Sequence, residues 1–311
     1  MSDTIARTNG DSADAGADAA PVDAAPVDAV DDTQQHYEIN SDFFELMLGP
    51  SFTYSAAFWE DGDDDHADLA KAQDRKLDVF AELAGAQPGA RILDVGCGWG
   101  SALERLVDEH DVDEAVGLTP SRVQVGHIRG LGNDKITVGF GTWEDHEPLG
   151  LYDGILCVNA IEEFARSGQS PKERAKVYRS FFRRCHEWLN PEGRVVLHMI
   201  SMGKPPLERG VLRDMVSAVR SEFADSHVPY LHELASAVQM LFEVTEIQND
   251  RKDCARTMRV WLERLQQNRA EAVALEGEET VARYERYLEV CARLFDEGYF
   301  NDYRVALTKI G

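Results

Sequence analysis

Basic residues are scarce in this chain. Lysine and arginine number 32 against 56 aspartates and glutamates in 311 residues, a formal charge of −24. A nucleic-acid partner needs a basic footprint, and an anionic membrane surface attracts basic segments, so neither is expected as a partner. Long uncharged apolar runs are lacking too, which leaves no signal-peptide core and no membrane-inserted span to be read. The five cysteines, Cys97, Cys157, Cys185, Cys254 and Cys291, form no CxxC pair and show no disulfide-like spacing. They read as reduced thiols, and the expected location is the cytoplasm. Large side chains are almost absent from residues 1–35, which hold eight Asp and one Arg among Ala, Pro and Gly. Such a segment cannot offset its ordering entropy and is expected to be a disordered acidic tail. Residues 36–311 still carry about −17 and form the folded domain.

What is present is a 43% apolar composition and an alternation of short β-branched runs with amphipathic helices. The runs predict strands at Arg91–Val95, Glu114–Leu118, Ile136–Gly139, Gly154–Val158, Arg194–Ile200, Glu243–Ile247 and Tyr303–Lys309. Val177, Phe181, Cys185, Trp188 and Leu189 share one face of an intervening helix. Alternation of this kind predicts an α/β fold, a largely parallel sheet with helices on both faces. Residues 205–240 and a helical pair over 256–298 interrupt it; Val281, Tyr284, Leu288, Cys291 and Phe295 form a stripe there that reads as core packing. The acidic run Asp61–His66 reads as a solvated loop, and no metal site is expected.

The sharpest signal is "ILDVGCGWG" at 92–100, where a strand runs into Gly96, Gly98 and Gly100 ahead of a helix. Glycines there allow a tight turn and close approach of a ligand to the backbone. NAD, FAD and S-adenosylmethionine all use such loops. The dinucleotide pattern GxGxxG is absent, because position 101 is Ser. Asp94 also puts negative charge at the strand end, which suits a cationic ligand better than a pyrophosphate. S-adenosylmethionine, with its sulfonium and ammonium, fits both details.

Further stretches, "YEINSDFFELMLGPSFTYSAAFWE", "VGLTPSRVQ", "GTWED", "VNAIEEFA" and "YLEVCARLFDEGYFNDYRVALTKIG", follow in order from Tyr37 to the C-terminus. With the glycine loop they resemble the cyclopropane fatty acid synthase family of S-adenosylmethionine-dependent methyltransferases. The resemblance implies a Rossmann-like class I methyltransferase fold with a seven-stranded, mostly parallel sheet, lid helices over 36–85 and acceptor-pocket helices over 205–240 and 256–298. It further implies that Tyr54 and Ser55 close over the methionine part of the cofactor above Asp94, Gly96, Gly98 and Gly100. Thr119 and Gln124 would reach the ribose, and Trp143 and Glu144 would flank the adenine, although Trp143 reads equally well as a core aromatic and Thr119 and Gln124 as loop solvators.

Synthases of this family hold a bicarbonate through a Cys, a Glu, a His and a Tyr, because an alkene that has taken up a methyl must lose a proton. Here Ala56 stands in place of the Cys and Cys254 in place of the Tyr, while Glu162 and His198 are retained and Glu163 is an added acid. An acid facing the site repels an anion, so Glu162 or Glu163 is expected to be the base. His198, in an apolar strand, reads either as catalytic or as a core histidine. The favoured activity is methyl transfer to a carbon of a hydrophobic small molecule of specialised metabolism, with nitrogen second. A fatty-acyl or phospholipid alkene giving a methyl-branched or cyclopropane chain is the alternative. A protein that binds the cofactor without turning it over is the alternative of another class. A homodimer is compatible with the sequence.

Overall fold

The computed structural model describes residues 39–205, 208–222 and 225–311. The acidic tail expected over 1–35 lies outside the described residues. Seven strands form one sheet: β1 Arg91–Val95, β2 Glu114–Thr119, β3 Ile136–Phe140, β4 Tyr152–Val158, β5 Leu189–Met202, β6 Phe242–Asn249 and β7 Phe300–Lys309. Their order is β3-β2-β1-β4-β5-β7-β6. The pairs from β3 to β5 are parallel, and β7 runs antiparallel to both β5 and β6. All seven predicted strands are present, each within a few residues of its expected bounds except β5, which begins five residues early.

Side-chain alternation along the strands sorts the core into layers. Ile92, Ala115, Leu156 and Val196 face α2 (Leu69–Ala84), α3 (Ser101–Asp108) and α4 (Arg122–Gly130). Leu93, Val116, Ile155, Val195 and Leu307 face α5 (Pro171–Trp188) and α7 (Leu231–Val238). Helix α5 begins where the sequence says it should: Pro171 opens it, the Ser170 hydroxyl accepts from the Glu173 N–H, and the Glu173 carboxylate accepts from the Ser170 N–H. A third core joins α1 (Ser41–Leu48) to α6 (Arg209–Glu222), α8 (Arg251–Gln267) and α9 (Arg269–Glu297, broken at Gly277). The stripe Val281, Tyr284, Leu288, Cys291 and Phe295 is buried within it. An out-and-back helical pair returns the chain to the end of the sheet it left, which is why β7 opposes β6.

Three expectations need correcting. Of 69–84, expected within the lid, Leu77, Phe80, Ala81 and Ala84 pack on the sheet, while Leu69 and Ala72 join the third core. Within 205–240, helix α7 packs on the α5 side, and the short link before it supplies Ser226 and Val228 to the cavity described below. The helical pair starts at Arg251 rather than 256, its charged first turn having hidden it from a search for apolar spacing. Segment 49–68 wraps over α8, where the Thr257 hydroxyl accepts from the Ala57 N–H and the Trp59 indole N–H, each at 3.0 Å, and donates to the Asp253 carbonyl. Within the acidic run, Asp65 pairs with Arg256 and His66 with Glu263, tying this segment to the same helix.

Candidate active site

The glycine loop leaves β1 with three positive φ angles, +81° at Gly96, +54° at Gly98 and +93° at Gly100. The three residues have different surroundings. A Cβ on Gly96 would meet that of Ala160 at 2.4 Å, and one on Gly100 would meet Ile128 at 2.8 Å, so both are demanded by the protein's own packing. A Cβ on Gly98 would meet nothing within 4 Å, and only there does the loop border open space. Asp94, at the end of β1, is 2% exposed, and among the described residues its Oδ1 has no hydrogen-bond partner. Burial raises its pKa to about 7, against the pull of Lys76. An orphaned carboxylate beside an open glycine backbone fits a cationic ligand such as S-adenosylmethionine.

At the end of β2 the Thr119 hydroxyl donates to Gln124 Oε1 and accepts from the Ser121 N–H, so these two expected ribose residues hold each other. Trp143 is buried among Phe164 and Phe181, with ring centroids at 5.6 and 5.5 Å, which gives it a core role; Glu144 beside it is exposed.

Across the sheet end from the loop lies a cavity of about 110 Å³. Ile200, Met258, Trp261, Phe295 and Phe300 give it apolar walls, and Tyr54, Ser55 and Ala56 border it from the covering segment. Asn159, Glu162, Glu163, Cys254 and Asp302 supply its polar surface. Glu162 and Glu163 sit in a short 3-10 turn after β4. Glu162 Oε1 accepts from the Ile200 N–H at 2.5 Å, while Oε2 is buried with no hydrogen-bond partner among the described residues. Glu163 Oε1 accepts from the Ser226 hydroxyl at 2.6 Å. His198 does not line the cavity: the pleat of β5 turns it between Phe58 and Phe80, and its Nε2 lies 3.3 Å from Asp302 Oδ2. Of its two readings in the sequence, catalytic or core, these contacts favour the core histidine.

Lys76 and Asp302 were missed in the sequence. Lys76 is wholly buried in α2, and its Nζ donates to the Ser55 hydroxyl at 2.5 Å. Its charge acts on both Asp302 and Asp94. Burial sets the protonation pattern of the group. It lowers Lys76 to about 7, raises Asp302 to about 7 with help from the Asp250 charge, and raises Glu162 to about 8 against the Ile200 N–H. It also keeps the His198 imidazole neutral by pushing its pKa well below the usual value. Glu162 and Asp302 repel each other's charge, so the cavity favours one ionised carboxyl over two. These surroundings do not fit bicarbonate: Ala56 has no side-chain donor, His198 is turned away, and three acids, Glu162, Glu163 and Asp302, already line the space.

Among the described residues no group of three His, Cys, Asp or Glu is placed to hold a metal ion, and no helix is long and apolar enough to cross a membrane.

Comparison with known proteins agrees with the geometry. The model of the mycolic acid cyclopropane synthetase family matches residues 25–305. The chain is 32% identical to cyclopropane mycolic acid synthase MmaA2 of Mycobacterium tuberculosis over 90% of this chain and 97% of that one. It is 35% identical to cyclopropane mycolic acid synthase 1 of the same organism over 86% and 93%. The structure of mycolic acid cyclopropane synthase CmaA1 complexed with SAH and CTAB superposes with a TM-score of 0.79 at 33% identity, covering 89% of this chain and 97% of that chain. Sheet order, glycine loop and this match together establish that the chain belongs to the cyclopropane synthase family and is an S-adenosylmethionine-dependent methyltransferase of Rossmann-like class I fold.

Proposed function

We propose that the enzyme methylates an alkene carbon in an apolar chain of fatty-acyl type, giving a cyclopropane or methyl-branched product. The observation that carries this reading is the cavity itself: apolar walls ending in buried carboxyls, with no solvated basic groups among its lining. Bound S-adenosylmethionine supplies an electrophilic methyl group on its sulfonium. Asp94 and the backbone around Gly98 would hold it, with Tyr54 and Ser55 closing the side shared with the cavity. Alignment of nucleophile and methyl in a water-poor space supplies roughly 7–11 kcal/mol in well-oriented systems. Aromatic faces of Trp261 and Tyr287 and a nearby carboxylate favour the positive charge that develops on the acceptor.

Thr119, Gln124, Trp143 and Glu144 would bound the nucleoside side; the first three are already engaged with the protein, so they shape that surface more than they bind. Printed names and ligands of the relatives, mycolic acid synthases and a CTAB complex, support a long apolar acceptor. The small volume supports a second reading, a compact hydrophobic metabolite methylated on carbon or nitrogen. Five free cysteines, all buried, support a cytoplasmic enzyme.

The test is incubation with methyl-labelled cofactor and, separately, the cis-octadecenoyl thioester of coenzyme A and an apolar metabolite extract. Label in the octadecenoyl chain supports the acyl reading, and label only in a compact metabolite supports the second. Tight cofactor binding with no label in either would overturn both.

A further inference from the structure

We propose that Asp302 is the general base of the acceptor cavity, taking the proton that the methylated acceptor must lose. This deepens the proposed function and rests on its reading of the cavity as the acceptor site. Asp302 lies on β7 opposite Ile200 and lines the cavity. It is 1% exposed, and among the described residues neither carboxylate oxygen has a hydrogen-bond donor in good geometry. A buried acid met only by poorly aligned contacts from Cys254, Asn159 and His198 is costly to keep unless something arrives to use it.

The alternative base, Glu162, is anchored differently. Its Oε1 is held by the Ile200 N–H, and no cation adjoins it. Asp302 is faced by Lys76 from α2, His198 from β5, Cys254 from α8 and Asp250 from the turn before α8, with Arg304 3.5 Å from Asp250. Lys76, Cys254 and Asn159 favour its ionised form, whereas Asp250 opposes it. Among the carboxyls of the cavity the surroundings therefore differ in direction: Lys76 favours the ionised form of Asp302, whereas Glu162 is met by the Asp302 charge, which favours its protonated form.

The step balances. Once an alkene carbon has taken the methyl, its neighbour is cationic. A C–H bond of that methyl breaks, its electron pair closes the three-membered ring onto the cationic carbon, and the proton goes to a carboxylate oxygen of Asp302. Loss from an adjacent chain carbon instead leaves the pair as a double bond beside a methyl branch. In either case carbocation and carboxylate become neutral product and carboxylic acid. No added anion is needed, in keeping with Ala56 and with the other acids in the cavity.

The experiment uses the full chain, methyl-labelled S-adenosylmethionine and the cis-octadecenoyl thioester, with Asp302→Asn, Asp302→Glu and Glu162→Gln. Asp302→Asn is expected to lower turnover about 10²- to 10⁴-fold, with cofactor affinity by calorimetry unchanged within about threefold. The wild type is expected to gain kcat/KM as pH rises through the Asp302 titration. Asp302→Glu should retain that limb at reduced rate, and Asp302→Asn should lose it. Turnover of Asp302→Asn within threefold of wild type, or a greater loss in Glu162→Gln, would overturn the proposal. Infrared difference spectra at pH 8 read the charge without any acceptor. Wild type minus Asp302→Asn should show an ionised carboxylate band, and a protonated carboxyl band there would overturn the assignment even if the thioester proved a poor substrate.

Discussion

Replacing Asp94 by Asn should make the cofactor-free protein more stable and the cofactor weaker. The native carboxyl is buried, and its pKa lies at about 7 against the ordinary 3.8. A raised folded pKa means that the folded state holds its proton more tightly, so this group's contribution is full below about pH 4 and is lost as pH rises toward 7. Three units at 1.36 kcal/mol each set an upper bound of about 4 kcal/mol at pH 8. The pull of Lys76 is already contained in that value, and relaxation around the buried charge brings the expected net gain to about 1–3 kcal/mol. Urea unfolding without cofactor should therefore show Asp94→Asn more stable than wild type at pH 8 and equal to it near pH 4.5. The same change removes the carboxylate from a buried contact with a cation, a loss of about 2–5 kcal/mol, or roughly thirtyfold or more in Kd. Calorimetry with S-adenosylmethionine measures that loss. A variant that is less stable at pH 8 and binds as tightly as wild type would refute the placement of Asp94 beside the ligand.

The glycine loop separates packing from binding. Gly96→Ala collides with Ala160 and should lower stability by about 1–3 kcal/mol in thermal unfolding, whereas Gly98→Ala should cost about 1 kcal/mol and weaken cofactor binding more than it weakens the fold. Glu162→Gln keeps an acceptor for the Ile200 N–H, so cofactor affinity should hold within about threefold while turnover falls about tenfold; equal losses in steady-state kinetics and calorimetry would make its role structural. Thr257→Val orphans the Ala57 N–H and the Trp59 indole N–H and should cost about 2–4 kcal/mol, with faster hydrogen exchange confined to residues 49–60.

Strands and glycine loop were legible because their signals are local: period-two alternation, a strand ending in Asp, glycines at fixed offsets. Tyr54 and Ser55, expected over the cofactor, and Glu162, expected at the acceptor, come from segments that the structure brings to the border of one cavity. Asp302 and Lys76 were not legible, because their meaning depends on three distant segments meeting. A lysine in an amphipathic helix and an aspartate near a strand start look solvated until α2, β7 and α8 close on them. His198 stood out as a polar residue in an apolar strand, but alternation alone could not say that Phe58 and Phe80 would cover it. Trp143 looked like a stacking partner, and the aromatic neighbours that occupy it come from residues 164 and 181. Helix α7 was expected among the acceptor-pocket helices of 205–240, and its apolar residues alone do not say that they join the α5 layer.

Lys76 is one buried cationic group that acts on two acids, Asp94 and Asp302. A cation seated against Asp94 would hold that acid ionised and add its own positive charge to that of Lys76 in the field at Asp302, favouring the carboxylate there. Loading the methyl donor then arms the proton acceptor across the sheet, and by thermodynamic reciprocity the protonation of Asp302 feeds back on how firmly the donor is held.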